Sequence, residues 1–146
     1  MKKKKYIVSQ ISGYIKKIYN IKKKKFFKKK IIFESEKNII VSPCNGIIKS
    51  FFPKKNSCII QNEINTLITI KNKIYNNEKK IINFISLIKN SKKIYIGEII
   101  FLIKNIFHKI YLNKSITNMT ITSKKKINTY KKKYKIKAGI TKLFYL

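Results

Sequence analysis

The chain reads as an all-β protein, an antiparallel β-sandwich or barrel with an internal duplication and one short helix. Three observations predict this class. All four glycines fall in variants of one short phrase: VSQISGYIK from Val8, VSPCNGIIK from Val41, YIGEIIFL from Tyr95 and IKAGITKLF from Ile136. Glycine is held to such a context where the backbone needs φ > 0 or where two strands approach closely. The first two copies share Val-Ser, a Gly four residues further on, then Ile and Lys, and start 33 residues apart at Val8 and Val41. They mark a duplicated supersecondary unit, too few copies for a solenoid or propeller. Finally, strand-length runs of β-branched and aromatic residues alternate with turn signals along most of the chain. A closed or sandwiched antiparallel sheet pairs its own edges and suits such a sequence.

Residues 6–8, 13–18, 30–33, 39–41, 46–52, 58–61 and 66–70 are each rich in Ile, Val, Phe, Tyr or Thr and are expected as strands. Between them, 34–38, 53–56 and 71–80 carry Glu, Ser, Asn, Pro and Lys and read as loops. In 81–90, Ile81, Phe84, Ile85 and Ile88 follow the spacing i, i+3, i+4, i+7, which predicts a short amphipathic helix. Strands resume at 93–103, 115–122 and 133–146, and 106–112 forms a helical turn or a loop. Apolar side chains on these strands are core, as inward-facing positions of barrels and sandwiches are.

At 146 residues the sequence accommodates one domain, 1–146, with a basic N-terminal tail over 1–5. The formal net charge of +31 would ordinarily point to nucleic acid or an anionic membrane. Here every basic residue except one His is Lys, and Ile, Phe, Tyr and Asn are abundant. Those residues are encoded by A/T-rich codons, so base composition alone can load the surface with lysine. The absence of Arg removes the planar fork that reads guanine and phosphate bidentately. A solvated lysine surface is therefore favoured over a nucleic-acid surface. Lys2 to Lys5 resemble the start of a signal peptide, but Ser9, Gln10, Gly13 and Lys16 break the run that follows. No uninterrupted apolar run is long enough to span a bilayer. A cytosolic location is expected.

Thirteen residues separate Cys44 from Cys58 and there is no second pair, so neither a CxxC redox motif nor a zinc knuckle is present. Reduced, partly buried thiols follow. The chain has no Asp, and Glu34, Glu36, Glu63, Glu78 and Glu98 share no spacing that would make an acid and base pair. His108, in NIFHKIY, has no Asp to orient it and no Ser or Cys at a nucleophile elbow. A metal site cannot be assembled from this inventory at a familiar spacing, and no glycine-rich phosphate loop occurs. No cofactor is implied.

The order of the phrases resembles one family. VSQISGYI, IVSPCNGIIKSFF, TLITI from Thr66, KIYIGEIIF from Lys93, ITNM from Ile116 and IKAG from Ile136 are similar, in that order, to the glucose-type enzyme IIA component of the bacterial phosphoenolpyruvate-dependent sugar phosphotransferase system. The resemblance covers nearly the whole chain and implies an antiparallel β-sandwich with little helix. It also implies partners: the phosphocarrier HPr, which donates a phosphoryl group to one histidine, and the IIB domain of a sugar permease, which receives it. The chemistry needs imidazole, whose ring nitrogen holds the phosphoryl group as a transferable phosphoramidate. A second histidine helps to neutralise it.

The resemblance sets the phosphoryl-accepting position at Thr69 and the supporting one at Ser57, so both histidines are replaced. The family's Gly after the acceptor has become Lys71, and the Asp of its second glycine phrase has become Asn45. A threonine phosphate ester lacks the transfer potential of phosphohistidine. The expectation is an enzyme IIA-like protein whose relay is lost. Two alternatives are an active carrier that uses His108 and a small basic β-domain that binds RNA or DNA. In the latter, Phe26, Phe27, Tyr130 and Tyr134 lie among lysines and could stack on bases, or simply anchor strands beneath lysine stems.

Overall fold

The computed structural model describes residues 4–35, 39–52, 56–74, 82–86, 92–105, 115–130 and 135–146. Fourteen strands run through them, all paired antiparallel. They are β1 (Tyr6–Val8), β2 (Gly13–Lys23), β3 (Phe26–Ser35), β4 (Ile39–Val41), β5 (Gly46–Phe52), β6 (Ser57–Asn62) and β7 (Leu67–Ile74), followed by β8 (Ile82–Ser86), β9 (Lys93–Ile94), β10 (Ile99–Asn105), β11 (Ser115–Ser123), β12 (Asn128–Thr129), β13 (Lys135–Ile136) and β14 (Lys142–Tyr145). One sheet has eight strands in the order β13-β2-β3-β11-β7-β6-β5-β9, and two have three strands each, β1-β14-β12 and β4-β10-β8. All three contribute to one buried cluster: Ile31, Phe33, Ile60, Ile70 and Met119 from the large sheet, Ile7 and Phe144 from the second, Ile40 and Phe101 from the third. The all-β sandwich expected from the sequence is the architecture observed.

The duplication is visible bond by bond. Val8 N–H donates to the Pro43 carbonyl at 2.9 Å and Val41 N–H to the Gln10 carbonyl at 2.8 Å, so each copy of the phrase holds the other reciprocally. Within the copies, the Ser9 hydroxyl donates to the Ile11 carbonyl and the Ser42 hydroxyl to the Cys44 carbonyl, each at 2.7 Å. The other two glycine phrases dock on these in the same way. Gly139 N–H donates to Ser9 O at 2.9 Å, and Gly97 N–H to Ser42 O at 3.1 Å. Ser12 Oγ accepts from Ala138 N–H at 3.0 Å where Asn45 Oδ1 accepts from Ile96 N–H at 2.8 Å. Four short, similar segments thus satisfy one another's backbone groups at the centre of the fold.

The glycines make this packing feasible for two different reasons. A Cβ on Gly46 would lie 2.3 Å from the Gln61 carbonyl oxygen across the β5–β6 ladder. Gly139 has φ +72, and a Cβ there would stand 3.1 Å from the Gly97 Cα, so the two later phrases touch through their glycines.

Two expectations need correction. The helix expected over 81–90 is not formed where that segment is described: Ile82–Ser86 is β8, antiparallel to β10, with Ile82 opposite Asn105 and Ser86 opposite Phe101. Ile at 82 and 85 favours extended backbone, and β8 supplies partners to an edge of β10 that β4 leaves open. Among the described residues there is no helix, and the helical turn or loop expected at 106–112 lies outside them. The strands expected at 93–103 and 133–146 are each divided, at Gly97 and Gly139, where left-handed backbone (φ 86 and 72) turns the chain. No described helix is long and apolar enough to cross a membrane.

The thiols sit in the core as free cysteines. Burial pushes both up from the ordinary 9.0 to about 12, and Cys44 adds to the effect on Cys58. The unfolded chain releases these protons near 9.0 while the folded chain holds them, so this contribution is intact below pH 9. It then falls as pH rises toward about 12, by at most about 1.4 kcal/mol per pH unit for each thiol. At pH 8 neither should react with a thiol reagent in native protein, and both should react in denaturant. Rapid labelling of the native protein would show that one of them is not enclosed.

Candidate functional site

Strands β6 and β7 are neighbours near the middle of the large sheet, and their register assigns every side chain to a face. Cys58 opposes Ile70 and Ile60 opposes Ile68, all four fully buried in the core. The intervening residues Ser57, Ile59 and Gln61 on β6, and Leu67, Thr69 and Lys71 on β7, therefore share the opposite face. Ser57 and Thr69 lie on one face of adjacent strands, but not directly opposite each other. Ser57 opposes Lys71, and Thr69 opposes Ile59. The two hydroxyl residues form a diagonal pair, a relation that separates residues by about 7–8 Å.

The surroundings of Thr69 limit its chemistry. Its direct neighbours across the ladders are Ile59 and Thr120, and Leu67 and Lys71 flank it along the strand. None is a general base. Glu34 lies on the same face, but it is four residues and two strands removed in register and is paired with Lys16 at 2.8 Å. Thr69 is half-buried and Ser57 is buried, 7% exposed. Exposed Ile47, Phe52 and Leu67 give the surrounding surface an apolar rim.

Sequence reasoning noticed Lys71 only as a replaced glycine. The fold places it directly between Ser57 on β6 and Asn118 on β11, forming one row of hydroxyl, ammonium and amide. No local signal could reveal this row, because it depends on the register of three strands. Asn45, noticed as a replaced aspartate, has a structural task in accepting the Ile96 N–H. His108 lies outside the described residues. Among the described residues no three of His, Cys, Asp and Glu gather as a metal site would require.

A separate depression of about 310 Å³ opens beside Gly46, lined by Gln61, Glu63, Lys93 and Tyr95 among others. Glu63 and Asn62 in its lining already have partners. Glu63 takes a 2.6 Å hydrogen bond from Lys5, whose bond and charge hold its carboxyl below the usual range, and Asn62 Oδ1 accepts from Ile64 and Thr66 N–H.

No family model matches the sequence, and neither does any curated protein. Among solved structures, the fold is similar to that of the glucose permease IIA from Mycoplasma capricolum, with a TM-score of 0.65 and 15% sequence identity, over 99% of this chain and 96% of that one. The shared architecture therefore extends from end to end, and at this identity it is the fold that the two chains have in common.

Proposed function

We propose that this protein is an enzyme IIA-like component of a sugar phosphotransferase system that keeps the docking face of the class but not its phosphoryl relay. The observation that carries the reading is the set of groups around Thr69: a hydroxyl stands at the proposed acceptor position, with Ile59, Thr120, Leu67 and Lys71 as its neighbours and no base among them. Such a hydroxyl is a weak nucleophile without an adjacent base, and its phosphate ester would not be passed on. The apolar rim of Ile47, Phe52 and Leu67 supports docking of HPr or a permease IIB domain in the cytoplasm.

The test is incubation with labelled phosphoenolpyruvate, enzyme I and HPr. We expect no acid-labile label on this chain, together with chemical-shift changes in HPr on titration that report docking. Stoichiometric acid-labile label that is lost in His108→Ala would establish an active carrier and overturn the reading. Unperturbed HPr and IIB spectra would remove the docking half of it.

A further inference from the structure

Beyond the relay, the sheet face that carries Thr69 continues across β11 and β3 to the β2–β3 hairpin: Thr69 opposes Thr120, Thr120 opposes Lys30 and Lys30 opposes Tyr19. The β2–β3 hairpin runs to a two-residue turn at Lys24 and Lys25, with Lys23 opposite Phe26, Ile21 opposite Lys28 and Tyr19 opposite Lys30. On its other side β3 pairs with β11 up to Phe27 opposite Ser123, so the turn that begins at Lys124 emerges beside the hairpin. Two lysine runs about a hundred residues apart in sequence thereby join: Lys22 to Lys25 with Lys28 to Lys30, and Lys124 to Lys126. The β11 turn lies close enough to β3 that Lys29, on the opposite face from Lys28 and Lys30, has its ammonium disfavoured first by burial and then by the charge of Lys126.

The lysine-rich outer part of the hairpin and the turn after β11 carry no carboxylate over 19–30 and 120–126, and Glu34, on the same face at the other end of β3, is paired with Lys16. The other described carboxylates are engaged elsewhere, Glu63 with Lys5 and Glu98 with the Tyr95 N–H. A concentration of like charge with no internal counter-charge favours a polyanion. The same sheet face offers more than charge. Tyr19 is 43% exposed and Ile21 39%, and the rows they begin continue through Lys30 and Lys28 to Thr120 and Thr122. Phe26, at the end of the face, has the Lys23 ammonium 5.7 Å from its ring centre. An open sheet displaying aromatic rings between cations suits unpaired bases and their phosphates. Lysines without arginine bind phosphate as point charges, so recognition would be independent of sequence.

We infer that the face formed by the β2–β3 hairpin and the adjoining β11 turn binds single-stranded nucleic acid without sequence preference. The experiment is fluorescence anisotropy with labelled mixed-sequence single-stranded DNA and RNA across roughly 50 to 200 mM salt. Three variants are compared: Lys23→Gln, Lys28→Gln, Lys30→Gln and Lys125→Gln together; a charge-matched set, Lys4→Gln, Lys93→Gln, Lys135→Gln and Lys137→Gln; and Tyr19→Ala. All alter exposed or half-buried surface, and circular dichroism checks that each is folded. The first should bind at least about tenfold more weakly, with a log–log salt slope shallower by roughly 3, while the charge-matched set changes affinity less than about threefold. Tyr19→Ala should weaken binding at least about fivefold at unchanged charge. Equal losses in the two lysine sets, no effect of Tyr19→Ala, or binding confined to phosphatidylserine vesicles would each overturn the inference.

Discussion

Replacing Gly46 by alanine should destabilise the protein by about 3 kcal/mol, lowering its melting temperature by roughly 12 °C. The added methyl would meet the Gln61 carbonyl oxygen at 2.3 Å and its carbon at 2.9 Å, both backbone atoms that no side-chain rotation can clear. Relief requires β5 and β6 to part where Gly46 opposes Asn62, and that would also loosen the backbone turn that the Asn62 side chain holds through Ile64 and Thr66. Gly97 provides the contrast. Nothing lies within 4 Å of a Cβ there, and its φ of +86 is the only obstacle. Gly97→Ala should therefore cost only about 1–2 kcal/mol. Thermal and denaturant melts of the two variants compare a steric with a conformational cause, and the account fails if Gly97→Ala is the more damaging.

The second large effect is a gain. The double variant Ser57→His with Thr69→His should accept acid-labile phosphate from phospho-HPr at least about a thousandfold faster than the unaltered chain, in line with the size of effect that a positioned nucleophile and its supporting group supply. Both positions share a sheet face, and Lys71, next to Thr69 on that face and directly opposite Ser57, adds a cation for the arriving phosphoryl group. The measurement is transfer of labelled phosphate with enzyme I and HPr, with acid lability distinguishing imidazole from hydroxyl products. If the double variant docks HPr yet stays unlabelled, Ser57 and Thr69 are not the acceptor and supporting positions. That outcome leaves the fold untouched and removes the site assignment.

Much of the architecture could be read from local pattern. Strands β1, β4 and β5 have the bounds expected, because each is a short β-branched run closed by turn residues. Strands β2 and β3 extend well beyond the expected 13–18 and 30–33 and join as one hairpin. Its outer half is rich in lysine on both strands, which reads as solvated loop, and its turn at Lys24 and Lys25 contains neither glycine nor asparagine. Among the described residues, the non-glycine positions with left-handed backbone are Asn56 and Asn65, so no such signal marks that tip. The helix expected over 81–90 failed for the converse reason. Ile and Phe at helical spacing are equally at home in an extended segment, and the open edge of β10 selects the strand.

The glycine phrases and the alternation of apolar residues determined, from the sequence alone, that this chain is a duplicated antiparallel β protein, because φ preference and side-chain periodicity act over a few neighbouring residues. The tertiary structure decided which distant residues share a face: Ser57 opposite Lys71 rather than Thr69, the Ser9 and Ser42 phrases clasped reciprocally, and Lys124 to Lys126 beside the β2–β3 hairpin. Those relations are set by ladder register and by the burial of one sheet face, both of which exist only once strands far apart in sequence have paired.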